Sequence, residues 1–294
     1  MEAHRFTSVR CARCDLEFWT PRFIDRAYYA AAEHTTYDRR RGGESFLRER
    51  HLLFLRRAAP GRLLDIGCGE GAFLAAAQRE GYAVRGLDLD PGNIEAARAR
   101  GLEHVNCALL LGDDNEVTSE VREAGPFDWI TAFEVLEHQA DPLAFLRAAR
   151  TQLGPRGRLC GSVPNRDRLL VAQDRRRSRG DFPPHHFLWF SARALTEMLR
   201  AAGFQHAIVL PVPERDIGSY ASFLENSLLG GLTAGPKRSL RRAVEPHGAP
   251  AGASVRARLF RGAKRLKNAP FVPLALAAAR LLPERSRALY FEAS

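Results

Sequence analysis

The run Leu63-Leu64-Asp65-Ile66-Gly67-Cys68-Gly69-Glu70-Gly71 sets three alternating glycines after an apolar stretch and just ahead of Phe73 and Leu74. A strand, turn and helix of this kind bring backbone close to a ligand, because glycine has no Cβ to hold it off. Asp88 ends the next apolar stretch, 21 residues after Gly67. A carboxylate there can accept hydrogen bonds from both hydroxyls of a ribose, so the pair reads as a nucleoside-cofactor site beyond the carboxyl ends of parallel strands. Asp65 and Glu70 oppose a pyrophosphate at this turn, since carboxylates repel phosphates. A cofactor with a sulfonium and an amino-acid tail suits them better, which favours S-adenosylmethionine over a dinucleotide.

A second concentration of reactive side chains is Glu134-Val135-Leu136-Glu137-His138, followed much later by Pro183-Pro184-His185-His186-Phe187. Glu134 and Glu137 are three apart and His138 is four from Glu134, so one helical turn would face all three the same way. Two carboxylates with one or two imidazoles suit a divalent ion, with Mg²⁺ or Mn²⁺ favoured by the oxygen share. The same groups suit a metal-free general base. A third reading leaves the histidines as packing or capping residues.

These groups need a scaffold, and the hydropathy pattern supplies one. From Arg62 onward, strand-length apolar runs alternate with helical ones, as in βα units around a parallel sheet. The pattern predicts strands at 62–66, 83–88, 106–111, 127–132, 158–163, 206–211 and 288–293. Helices are expected at 71–80, 91–100, 141–152 and 191–202, the last with Ser191 as N-cap and Gly203 as its stop. The expected fold is a doubly wound, seven-stranded, mostly parallel α/β domain with a helical insertion before the last strand. Its parts are a Cys-bearing leader at 1–43, a core at 44–213, an insertion or substrate cap at 214–287 and the closing strand at 288–294.

Composition places limits on the partners. With 45% hydrophobic and 27% charged residues, the chain can build a core and is not of the disordered or fibrous kind. The 294 residues carry a formal net charge of +10, but Gly231–Arg287 holds thirteen Lys or Arg against Glu245 and Glu284 and accounts for +11. Basicity is therefore a property of one segment. That segment reads as a cap over a small-molecule substrate or a peripheral membrane contact, with nucleic acid less favoured because no recognised RNA module accompanies it. Five scattered cysteines make a poor disulfide framework, and the polar N-terminus does not read as a secretory signal, so a cytoplasmic location is expected.

The succession Leu63 to Gly71, Asp88, Gly112-Asp113 and Phe127-Asp128 to His138 resembles the motifs of class I S-adenosylmethionine-dependent methyltransferases of the type 11/23 kind. The resemblance covers about residues 45–212 and the final strand. It implies that Gly67, Cys68, Gly69 and Gly71 line the methionine tail and that Asp65 orients the loop or touches the ligand. It further implies that Asp88, with Leu89 beside it, holds the ribose, that Asp113 and Asp114 bracket the adenine, and that Phe133 lines the pocket. The Glu134, Glu137 and His138 segment resembles ubiquinone-biosynthesis O-methyltransferases. With His185 it also resembles the metal site of small-RNA 3′-terminal ribose methyltransferases; His186 adjoins that position as a further catalytic candidate.

Cys11-Ala12-Arg13-Cys14 resembles half of the zinc ribbon that precedes many bacterial small-molecule methyltransferases, with no second pair in the chain to complete it. His4, His34 or a second chain are the remaining sources of ligands. Tyr28, Tyr29 and Tyr37 are candidates for a lid over the cofactor. Three functions follow as expectations: methyl transfer to a hydroxyl of a small metabolite, metal-dependent methylation of an RNA ribose, and a non-catalytic cofactor-binding adaptor.

Overall fold

Leu63 and Leu64 are both buried, yet they lie in different apolar clusters, because successive side chains of a strand point to opposite faces. The same alternation recurs at Tyr290 and Phe291, so the strands that carry them are covered on both sides. This accounts for their continuous apolar runs. The computed structural model describes residues 5–24, 47–112, 114–177, 180–215, 217–229 and 269–294.

In chain order the elements are β1 (Thr7–Arg10), β2 (Glu17–Thr20), α1 (Glu49–Arg57), β3 (Arg62–Ile66), α2 (Ala72–Arg79) and β4 (Ala83–Asp88). Then come α3 (Pro91–Ala99), β5 (Val105–Cys107), α4 (Ser119–Arg122), β6 (Phe127–Phe133), α5 (Pro142–Thr151) and β7 (Leu153–Pro164). The chain continues through α6 (Val171–Arg177), β8 (Leu188–Trp189), α7 (Ala192–Ala201), β9 (Ala207–Pro211), α8 (Ile217–Leu229), α9 (Val272–Leu281) and β10 (Ala288–Ala293).

The main sheet has seven strands in the order β5-β4-β3-β6-β7-β10-β9. All its pairings are parallel except those of β10, which runs antiparallel to both β7 and β9. The doubly wound α/β expectation therefore holds. Residues of α1, α2 and α3 pack on one face, and those of α5 and α7 on the other. Helix starts follow local chemistry: Asp90 caps α3 through the Gly92 amide at 2.8 Å and Asp141 caps α5 through the Ala144 amide at 2.9 Å, each followed by proline. Ser191 caps α7 through the Ala194 amide at 3.1 Å, and Gly203 ends that helix with a φ of 97°.

Two strands differ clearly from their expected spans: β7 begins at Leu153, five residues ahead of the expected 158, and β5 is cut short. β5 stops at Cys107 because the chain doubles back, with Leu111 bridging Val117 and the Gly112 amide bonded to the Glu116 carbonyl at 2.8 Å.

Two compact units are present. The first comprises Met1–Asp167, Asp181–Val212 and Arg287–Ser294; the second comprises Arg168–Gly180 and Pro213–Ser286. The second unit thus takes in residues 168–180 as well as the stretch read as an insertion, since Leu169 and Leu170 pack with Tyr220, Ala221 and Leu224 of α8. In the first unit, β1 and β2 form an antiparallel hairpin that pairs with β8. Asp15 pairs with Arg10 within the hairpin and fastens it to the core through an ion pair with Arg166 and a hydrogen bond accepted from Ser191 at 3.2 Å. The Arg166 guanidinium, followed by Arg10, holds the Asp15 carboxyl well below its usual range.

Helix α1 docks through Phe54, which is fully buried among Phe73, Tyr82, Trp129 and Phe133. Phe54→Ala is expected to cost about 3–5 kcal/mol of stability through lost burial and a residual cavity. Urea unfolding monitored by tryptophan fluorescence measures this loss.

Candidate active site

Strands β3, β4 and β6 run parallel, so the loops that follow them meet at one edge. After β3, Gly67, Gly69 and Gly71 adopt φ values of 75°, 54° and 76°, where a side chain would be strained. Space is restricted too: a Cβ on Gly67 would meet Val135 Cγ2 at 2.6 Å, and one on Gly71 would meet Ala97 Cβ at 2.9 Å.

The loop's amides are largely engaged within the protein. Gly67 and Cys68 N–H both donate to the Leu87 carbonyl, at 2.7 and 2.9 Å, and Gly71 N–H donates to the Cys68 carbonyl at 3.0 Å. Gly69 N–H donates to Asp88 Oδ2 at 2.8 Å. A phosphate-binding loop needs such donors to face outward. This one fits a cationic ligand group better. The Cys68 side chain faces the core beside Leu74 and Gly86, and burial raises its thiol pKa far above the usual range, so only its backbone belongs to the loop surface.

Asp88 serves as a clamp. Its Oδ1 accepts from the Asp90 amide at 2.9 Å and from Asn93 Nδ2 at 3.1 Å, while Oδ2 holds Gly69. Burial raises its pKa, opposed by these hydrogen bonds. Leu89 follows it, half-buried. Asp65 is buried beneath the loop and accepts from Thr131 Oγ1 at 2.7 Å. Burial pushes its pKa from 3.8 to about 7, with the Thr131 bond opposing and the Asp88 charge adding to the rise. Glu70 faces Arg100 at 3.3 Å. Asp113 lies outside the described residues. Asp114 is exposed and accepts from the Glu116 amide at 3.0 Å, which fixes the turn after Leu111.

Phe133 ends β6 and packs edge-on against Phe73 and against His51 of α1, with centroids 5.2 and 4.9 Å away. His51 is a residue that motif reading overlooked, although its spacing of three from Phe54 places it toward the buried side of α1. Its Nδ1 accepts from the Arg48 amide at 3.2 Å, and burial followed by the charges of Arg50 and Arg48 lowers its pKa to about 3. Burial thus favours its neutral imidazole, whose Nδ1 lone pair is engaged by that amide. Arg50, also unforeseen, has a buried Nε without a hydrogen-bond partner and lies 3.5 Å from Glu134 Oε1.

The expected alignment of Glu134 and Glu137 on one helical face does not occur. Glu134 turns the chain with a φ of 57°, and helical geometry begins only at Leu136–His138 as a short 3₁₀ turn. Glu134 accepts from Ser162 Oγ at 2.7 Å and faces Arg50. Glu137 is instead 0% exposed, with both carboxylate oxygens lacking hydrogen-bond partners. Its Oε1 lies 3.9 Å from Nε2 of both His138 and His186. Burial, followed by the Glu134 charge, raises its pKa well above the usual carboxylate range.

Two imidazoles, those of His138 and His186, face this carboxylate, and His185 joins them in a cluster. His138, His185 and His186 offer ring nitrogens within 4.8 Å of one another. His138 Nδ1 contacts the His185 carbonyl at 2.5 Å; a carbonyl only accepts, so Nδ1 carries the proton and neutral His138 keeps its Nε2 lone pair for the cluster. Asp181, absent from the motif reading, lies 3.5 Å from His186 Nδ1. The loop is held in place by the Phe187 amide donating to the Glu137 carbonyl at 3.0 Å and by the Trp19 amide donating to the Phe187 carbonyl at 2.9 Å. His186 thus replaces Glu134 in the set expected to hold a metal. Among the described residues no further metal-competent group occurs, so Cys11 and Cys14 form a hairpin knuckle without a complete ligand set. His4, His34, Tyr28, Tyr29 and Tyr37 lie outside the described residues.

A seven-stranded sheet with one antiparallel strand, a glycine turn and a half-buried acid at the end of the neighbouring strand define a nucleoside-cofactor enzyme of the methyltransferase class. The methyltransferase-domain family matches residues 37–207, more than half of the chain. The chain belongs to this family, the class I S-adenosylmethionine-dependent methyltransferases.

The ubiquinone biosynthesis O-methyltransferase of Xanthomonas campestris pv. campestris is 40% identical over 111 residues, covering 37% of this chain and 46% of the relative. That of Cereibacter sphaeroides is 41% identical over 107 residues, covering 36% and 42%. The chain spans less than half the length of these curated relatives. Among solved structures, Haemonchus contortus phosphoethanolamine N-methyltransferase 2 with S-adenosyl-L-methionine aligns with a TM-score of 0.55 at 15% identity, covering 92% of this chain and 60% of that one. A chain of the complex between the Haloferax volcanii Trm112 methyltransferase activator and a methyltransferase aligns with a TM-score of 0.51 at 17% identity, covering 91% and 96%. These likenesses concern the fold alone.

Asp88→Asn is expected to weaken S-adenosylmethionine binding by about 10- to 100-fold, the range for losing hydrogen bonds to a charged group. Calorimetric titration measures it. Asp65 carries a folded pKa of about 7 against an ordinary 3.8, so the native state binds the extra proton and stability falls as pH rises across that window. Thermal melts of Asp65→Asn across the same range should show a flatter dependence than the wild type.

Proposed function

We propose that the protein transfers a methyl group from S-adenosylmethionine to a hydroxyl of a small-molecule metabolite. The observation that carries this reading is the buried Glu137 carboxylate facing two imidazole nitrogens at the edge where the cofactor loop ends. When bound, S-adenosylmethionine supplies a methyl group on a sulfonium, a leaving group that needs no protein nucleophile. The chain's own work is then to position the acceptor and take its proton.

The glycine loop, with most of its amides turned inward, would cradle the methionine tail, and Arg50 would hold its carboxylate. Asp88 would receive the ribose hydroxyls. His138, with Nδ1 committed to a carbonyl, would accept the acceptor's proton at Nε2. Glu137 beside it would stabilise the resulting imidazolium, whose positive charge would in turn favour the ionised carboxylate. Relatives named O-methyltransferases support the hydroxyl assignment.

The same cluster supports a finer reading with a divalent ion. A buried carboxylate without hydrogen-bond partners among three imidazoles is a donor set that fits one. Glu137, His138, His185 and His186 would hold it, and it would lower the pKa of an acceptor hydroxyl. The nitrogen-rich set departs from the oxygen-rich one expected from the motif and favours Zn²⁺, Fe²⁺ or Mn²⁺ over Mg²⁺.

Glu137→Gln and His138→Ala should each lower turnover with a phenolic acceptor by about 10²-fold or more, with cofactor affinity retained. Formation of S-adenosylhomocysteine across a panel of phenols, alcohols and amines measures this. Faster turnover of amines than hydroxyls by the wild type would overturn the acceptor assignment. Full activity after exhaustive chelation, with metal analysis showing none bound, would leave the histidine base as the mechanism.

A further inference from the structure

Helix α9 of the second unit has its side-chain sizes reversed. Ala275 and Ala278 are the residues buried against Tyr220, Ala221 and Leu224 of α8, while Leu274, Leu276 and Leu281 are exposed. Leu281 is 76% exposed and Leu274 is 45% exposed. A helix that simply borders water puts its large apolar residues inward and its charges outward. Here Arg280 is the one charged residue of α9, Leu274 and Leu281 are seven apart and so share one face of the helix, and Leu282 follows them exposed.

A stretch of this kind needs an apolar neighbour, and the charge of the adjoining sequence indicates which. Between α8 and α9 the sequence at 230–268 holds ten Lys or Arg and one acid, Glu245. An anionic bilayer combines the two requirements, an acyl boundary for leucines and headgroups for cations. A purely polyanionic partner such as RNA would use the cations and leave the leucines in water. No helix among the described residues is long and apolar enough to cross a membrane, so the contact is one of surface seating.

We propose that the exposed leucine face of α9, Leu274 and Leu281 with Leu282 just beyond them, seats the second unit on an anionic membrane. The leucines enter the headgroup–acyl boundary, and attraction to anionic lipid holds them there. This proposal stands apart from the methyl-transfer reading, because none of these leucines belongs to the cofactor loop or the histidine cluster.

The test is co-flotation of the full chain with phosphatidylcholine vesicles and with vesicles that also contain phosphatidylglycerol. Wild type should float with the anionic vesicles and, by at least about tenfold, less with the neutral ones or at high salt. Leu274→Glu with Leu281→Glu, and separately Leu274→Ser with Leu281→Ser, should lower partition into anionic vesicles by at least about tenfold. Unchanged circular dichroism and cofactor titration show that the variants are folded. The serine pair leaves net charge untouched, so its loss of binding isolates the apolar contribution. Three results would overturn the proposal: no flotation of wild type, undiminished flotation of the folded serine variant, or a wild-type dimer that the serine variant converts to monomer without any vesicle binding.

Discussion

The Asp88 carboxylate is the constraint on which the cofactor edge depends. It receives the Gly69 amide from the turn after β3 and the Asp90 amide and Asn93 side chain from the start of α3. Two neighbouring strand ends are thereby tied to one acid. Without that tie, a loop of three glycines in left-handed conformations would have many backbone states to lose on ordering. Burial makes the charge costly, and three donors offset that cost. The clamp therefore shapes the loop and fixes the acid at the carboxyl edge of the sheet.

A second constraint acts a few ångströms along the chain's path from β6. Glu134 leaves the strand in a left-handed conformation, an uncommon state for a residue with a side chain. The consequence is a division of labour between two carboxylates that look equivalent in the motif. Glu134 is paired with Arg50 and accepts a hydrogen bond from Ser162, while Glu137 is buried beside His138 and His186. The amino-terminal hairpin contributes through the Trp19 and Phe187 backbone, which holds the His185-His186 loop against the Glu137 turn. Asp15, paired with Arg166 and Arg10, secures that hairpin. The amino-terminal hairpin thus has a structural role beside the histidine cluster.

Much of the fold was legible because local rules and global packing agree. Arg62–Ile66, Ala83–Asp88 and Ala288–Ala293 match their expected spans, since strands covered on both faces read as mostly apolar runs. Asp-Pro pairs and Ser191 announce three helix starts by capping chemistry alone. The end of β5 was not legible, because Leu109, Leu110 and Leu111 continue an apolar run that the turn at Gly112 removes from the sheet. Nor did apolar content reveal that α9 buries its alanines and exposes its leucines, since composition carries no direction.

The sequence by itself determined the class of fold, the glycine turn with its spaced acid, and the confinement of positive charge to one segment. Each is a property of residue order over short range. Tertiary structure alone decided which groups gather at one edge of the sheet: His51 and Arg50 arrive from a helix before the glycine loop, His186 and Asp181 from far beyond it, and Glu134 turns aside. Those choices depend on where the chain bends and on which carboxylate can find a cation. Burial and pairing energies between residues distant in sequence set both, and no spacing rule along the chain encodes them.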